Sequence, residues 1–286
     1  MFQKIQVCTD LSPASDALIH CVEELRSIGM EEVILCHVIF VANTPGLDKM
    51  LIADALPTIE RQKKILEDQG IRVTVEMPFG FAAHSLNQTA ENHDVSAILI
   101  GSHGKGILRA AVLGSVSEKL LHESRRPVLL VRFGQVEGPK SHFTCCRLFS
   151  NVLFPTDFSE TAENALSYIG KIVSETKCAV TIMHVIQKEQ ADAEDEKRLE
   201  EDSQFLLESK RHRLETFNGG KVNISLTSGE PEKEILSMSR EGSFSLIVMG
   251  RQGKGKRLAR EVFFGSVSKE VVRHAAVPIL FIPAMR

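Results

Sequence analysis

Short apolar runs alternate along this chain with longer stretches whose apolar positions recur every three or four residues, the pattern of strands separated by amphipathic helices. In the first half, strands are predicted at residues 5–9, 33–39, 73–77, 97–101 and 128–132, with helices in the gaps. Runs such as AILIG and LIVMG carry no polar face, so they predict strands buried on both sides of a parallel sheet. Ser12 followed by Pro13, and Ser159 followed by Glu160, read as a helix cap with its first turn, which places an aspartate in the strand-to-helix turn before each. The stretch 189–213 is dense in alternating charge and predicts a solvated helix on the flank of the sheet.

The pattern repeats. Residues 4–18 (KIQVCTDLSPASDAL) lie over residues 151–166 (NVLFPTDFSETAENAL), with Asp10 over Asp157. His37 and Val38 then fall over His184 and Val185, Gly80 over Gly229, Gly101 over Gly250, Gly114 and Ser115 over Gly265 and Ser266, and Pro127 over Pro278. A period near 150 residues is a duplicated domain, because each copy has enough elements to bury its own core. The expected organisation is a domain over 1–133, a linker over 134–147 that bears glycine and proline, and a second domain over 148–286. Each domain is expected to be a Rossmann-like, doubly wound α/β unit with a five-stranded, mostly parallel sheet.

Composition narrows the function classes. A net charge of -3 and a pI near 6.4 supply no global basic field, so nucleic acid is not an expected partner. No apolar run reaches the roughly 20 residues of a membrane span and the N-terminus lacks a signal pattern, so a cytoplasmic protein with no membrane partner is expected. Six cysteines without CxxC or Cys/His ligand spacing read as free thiols rather than as metal ligands.

The chemistry lies in GSHGKGILRAAVLGSVS, which spells Gly101-x2-Gly104-x9-Gly114-Ser115. Glycines there let backbone approach a ligand, and Gly114, Ser115 and Val116 would open a helix whose free N–H groups favour a phosphate. This spacing resembles that of nucleotide-binding members of the universal stress protein family. The aspartate after the first strand, the His-Val at the end of the second and the proline before the last extend the resemblance over nearly the whole chain, twice. It implies that Asp10 and the backbone of Val38 hold adenine and ribose, that Gly101 and Gly104 approach ribose and phosphates, and that Gly114, Ser115 and Val116 hold the phosphates. It places a second site at Pro155, Asp157, Val185, Gly250, Gly253, Gly265, Ser266 and Val267. There the spacing departs from the family, with eleven residues rather than nine between Gly253 and Gly265, including Lys254, Lys256, Arg257 and Arg260. The implied ligand is ATP or AMP, and Mg²⁺ could accompany ATP. The resemblance also implies pairing of the last strands edge to edge, within one chain as a pseudo-dimer or between chains as a homodimer.

Two functions compete. One is a sensor or regulatory binding module. The other is a slow ATPase or a protein that phosphorylates itself on Ser115 or Ser117. The loop lacks the GK[ST] ending of phosphate-transferring P-loops, which favours binding.

Overall fold

The computed structural model describes residues 2–40, 47–102, 113–132, 147–187, 193–217, 219–252 and 265–284. It separates into two compact units, Met1–Cys146 and Arg147–Arg286. The expected linker lies outside the described residues except for Arg147.

In the first unit the chain runs β1 (Lys4–Cys8), α1 (Pro13–Cys21), a 3-10 segment (Val22–Ile28) and β2 (Glu32–Cys36). It continues through α2 (Leu47–Asp68), β3 (Arg72–Glu76), α3 (Ala82–Asn92), β4 (Ala97–Gly101), α4 (Ser115–Glu123) and β5 (Val128–Val131). The strands lie in the order β3-β2-β1-β4-β5, and all neighbours are parallel. Winding proceeds outward from β1 to β3, then restarts at β4 beside β1, so the switch point falls between β1 and β4. Helix α1 packs with α2 and α3 with α4; right-handed crossovers on either side of the switch put the two pairs on opposite faces. That double cover explains the apolar strands: Val7, Ile34, Leu35, Ile98 and Leu99 are at most 0% exposed.

The second unit repeats the plan with β6 (Asn151–Pro155), α5 (Glu160–Thr176), β7 (Ala179–Ile186) and α6 (Ala193–Glu215). It closes with β8 (Val222–Ser228), α7 (Pro231–Glu241), β9 (Leu246–Gly250), α8 (Ser266–His274) and β10 (Ile279–Ile282). Its strands lie in the order β8-β7-β6-β9-β10, again parallel throughout.

One strand departs from its expected length. The run 33–39 predicts a continuous strand, but the β2–β3 ladder ends at Cys36 with Glu76, and Ile39 rejoins only through an isolated bridge to Phe79. The cause is Pro78, which has no N–H to return to β2. At the matching place the second unit has Thr227, and there the ladder runs on to Ile186 and Ser228.

The cysteine reading holds in part. Cys8, Cys36 and Cys178 are free and buried. Cys21 is disulfide-bonded, a correction that spacing could not supply, because pairing depends on which distant segments the fold brings together. Cys145 and Cys146 lie outside the described residues.

Candidate functional site

Each site grows from one turn. After β1, Leu11 takes a left-handed backbone with φ 61, and after β6 Phe158 does the same with φ 58. For a residue with a Cβ that conformation costs about 1–2 kcal/mol, and local hydrogen bonds offset it. Leu11 N–H donates to Thr9 Oγ1 and Phe158 N–H to Thr156 Oγ1, both at 3.1 Å. Ser12 N–H donates to Asp10 Oδ1 and Ser159 N–H to Asp157 Oδ1, also at 3.1 Å. The aspartate therefore organises its own turn before it meets any ligand. Ser12 and Ser159 cap α1 and α5 as the sequence predicts, accepting from Ser15 N–H and Ala162 N–H.

The neighbouring strand is locked to this turn by a histidine. His37 Nδ1 lies 2.9 Å from the Thr9 carbonyl oxygen and His184 Nδ1 lies 2.7 Å from that of Thr156. Phe158 adds a ring contact to His184, with centroids 4.4 Å apart. The two histidines thus brace the backbone of the turn, which is a supporting role.

The strand itself orients the valine that follows. Peptide groups alternate in direction along a parallel strand. His37 N–H and Ile39 N–H bond toward the β3 side, to Glu76 and Pro78 carbonyls. The peptide groups of Val38 accordingly face the β1 side, where β1 has already ended at Cys8. Val185 is placed likewise, since Thr156 N–H reaches Met183 on the β6 side two residues earlier. Pro155 is buried at the end of β6, and by the same alternation its missing N–H falls on the β9 side, past the last paired residues Val152 and Leu153.

On the other side of the switch point, the ends of the glycine run are joined at their base. Gly114 N–H donates to the Ser102 carbonyl at 2.9 Å, and Gly265 N–H to that of Arg251 at 3.2 Å. Ser117 Oγ donates to the Gly101 carbonyl at 2.8 Å, and Ser268 Oγ to that of Gly250 at 3.3 Å. Helices α4 and α8 open at Gly114 and Gly265 with no side-chain cap. Their first internal bonds run from Glu118 N–H and Lys269 N–H, so the N–H groups of Ser115, Val116 and Ser117, and of Ser266, Val267 and Ser268, have no partner within the helix. Ser115, Val116 and Ser266 are exposed.

The structure thus brings Asp10, Val38, Gly101, Gly114, Ser115 and Val116 to the carboxyl edge of the first sheet, around its switch point. It brings Pro155, Asp157, Val185, Gly250, Gly265, Ser266 and Val267 to the same edge of the second. Gly104 and Gly253 lie outside the described residues. Gly250 has a packing reason to be glycine, because a Cβ there would stand 3.0 Å from Thr161 Cβ and Oγ1. Ser117 corrects one expectation. At 4% exposure, with its hydroxyl given to the Gly101 carbonyl, it is a structural tie rather than a phosphate acceptor. The threonines and the second serines of both GSVS runs were legible only as repeated letters; their hydrogen bonds give the repetition its meaning.

Fold and site together define a tandem pair of doubly wound α/β units with an aspartate turn and an uncapped helix facing each other across each switch point. The family model described as the universal stress protein family matches residues 1–132 and again 148–283, and the chain belongs to that family. A universal stress protein of Methanocaldococcus jannaschii is 32% identical over 155 residues, covering 46% of this chain and 96% of its own. One of Mycolicibacterium smegmatis is 24% identical over 97% of this chain and 96% of its own. Among solved structures, a universal stress protein of Archaeoglobus fulgidus is similar at a TM-score of 0.75 and 26% identity, with each chain covered in full.

Proposed function

We propose that each unit binds an adenine nucleotide, ATP or AMP, and that the protein acts as a sensor or regulatory module whose state follows nucleotide occupancy. The observation that carries this reading is the convergence, at one switch point, of an aspartate, a peptide edge and an uncapped helix N-terminus. A ribose diol suits the carboxylate of Asp10. Adenine presents a donor at N6 beside an acceptor at N1, which one stretch of backbone C=O and N–H such as that at Val38 can satisfy. Phosphates suit the free N–H groups at Ser115 and Val116. Mg²⁺ would enter with the phosphates of ATP; among the described residues no group of three or more His, Cys, Asp or Glu side chains could hold a metal ion. Among the same residues no helix is long and apolar enough to cross a membrane. A cytoplasmic location belongs to this proposal, as does pairing through the β5 and β10 edges; light scattering of the purified chain separates a monomeric pseudo-dimer from a homodimer.

The test is calorimetric titration with ATP, AMP and GTP, with and without Mg²⁺, while phosphate release is followed in the same samples. Binding selective for adenine without turnover supports a sensor, and steady turnover makes the protein an ATPase. Gly114→Val, at a position whose φ of -62 and ψ of 141 any residue can adopt, should weaken binding at the first site by at least tenfold. Unchanged affinity would sink the assignment.

A further inference from the structure

We propose that Thr161 is a positioning residue of the second site, tying the turn that carries Asp157 to the stem of the glycine run and so fixing how that stem meets nucleotide phosphates. The inference rests on the nucleotide reading of that site. Thr161 stands in the first turn of α5, is 6% exposed, and donates its hydroxyl to the carbonyl of Gln252. Its Oγ1 also lies 3.0 Å from Ser159 Oγ. A threonine hydroxyl has a single proton, and here the Gln252 carbonyl takes it, so the proton between the two hydroxyls must come from Ser159. Ser159 Oγ in turn accepts from Ala162 N–H at 3.3 Å. The result is one directed chain, from Ala162 N–H through both hydroxyls to the Gln252 carbonyl. It crosses from the helix that follows β6 to the loop that follows β9.

The packing agrees with the hydrogen bonds. A Cβ at Gly250 would stand 3.0 Å from both Cβ and Oγ1 of Thr161, so glycine at 250 is what lets the threonine reach the stem. Among the described residues the first unit shows no such tie. Ala14 occupies the place of Thr161, and the hydroxyl one residue on, Ser15, donates to Asp10 Oδ1 instead. The second unit has Ala162 at that place. Moving a hydroxyl by one helix position thus redirects it, from the aspartate in the first unit to the loop stem in the second. The second unit is also the one whose sequence holds eleven rather than nine residues between its glycines.

The experiment uses the full chain with its first site disabled by Ser115→Glu, in three versions at position 161: wild type, Thr161→Val and Thr161→Ser. Valine keeps the branched shape and removes the hydroxyl; serine keeps the hydroxyl. Amide exchange at Arg251 and Gln252 without nucleotide should quicken severalfold in Thr161→Val and return toward wild type in Thr161→Ser. ATP affinity of the second site should fall roughly five- to tenfold in the valine variant, with rescue by serine, while the thermal midpoint moves little. Unchanged exchange in Thr161→Val overturns the tie. Quickened exchange with unchanged affinity, or a serine variant as weak as the valine one, overturns the positioning role. If the version with wild-type Thr161 binds no ATP, the nucleotide reading fails together with this role, and the exchange data still distinguish that failure from loss of the tie itself.

Discussion

Buried thiols show how strongly this interior resists charge. Cys36 is 0% exposed, and burial pushes its thiol up to about 12; the Thr89 hydroxyl pulls it down and the Glu76 carboxylate pushes it further up. Burial raises Cys8 as well, with its cross-strand neighbour Cys36 acting in the same direction. Thiolate is the reactive form, so Cys36 and Cys8 should resist iodoacetamide in the native protein at pH 8 and label only after unfolding; rapid native labelling, read by mass spectrometry, would contradict the burial. The same shift sets a pH dependence. Between the ordinary thiol value of 9.0 and about 12 the folded chain keeps the Cys36 proton while the unfolded chain loses it. Folding stability from this group is therefore intact below pH 9 and declines as pH rises through that window. Cys36→Ala should flatten the alkaline limb of a denaturation-midpoint profile measured from pH 8 to 11. At this scale the site was half legible in the sequence. Asp10 and Asp157 stood out through repetition, whereas the left-handed Leu11 and Phe158 could not, since nothing in a leucine or phenylalanine announces a positive φ.

Elements were far more legible than the bonds that terminate them. The run at 97–101 matches β4 (Ala97–Gly101), because a strand covered on both faces must be apolar throughout. The charged stretch 189–213 contains most of α6 (Ala193–Glu215), where Leu207 and Leu214 reach the core while the acidic first turn faces solvent. The end of β2 was not legible, since it depends on Pro78 in a neighbouring strand rather than on its own residues. Helix starts were read from their caps, and those caps are unequal in consequence. Ser12 caps α1 and its hydroxyl also donates to Asp10 Oδ1 at 2.6 Å. Ser159 caps α5 and its hydroxyl bonds to Thr161 rather than to the aspartate. Removing a serine cap costs about 1 kcal/mol. Ser12→Ala should also loosen the Asp10 turn, so it should weaken nucleotide binding at the first site as well as lower the urea midpoint. A variant with a lower midpoint and unchanged affinity would show that the turn stands without that hydroxyl.

Duplication turns the whole molecule into its own control. Both units open α4 and α8 without a side-chain cap, yet the glycine runs before them differ in length and in their ties, so two sites of unequal affinity are expected on one chain. Ser115 and Ser266 are exposed first residues of these helices. A glutamate there favours the helix, since a negative charge near its N-terminus gains about 0.3–1 kcal/mol, but it places a carboxylate where phosphate would sit. Ser115→Glu and Ser266→Glu should therefore each remove one of two binding events in a calorimetric titration with ATP, and the double variant both, without loss of thermal stability. This separates ligand binding from folding more cleanly than a core substitution, because stability and affinity are pushed in opposite directions. If either single variant keeps two events, phosphate does not sit at that helix. If wild type shows one event and only Ser115→Glu abolishes it, the second unit serves the molecule as a fold without a ligand, and its longer glycine run is the place to look for the reason.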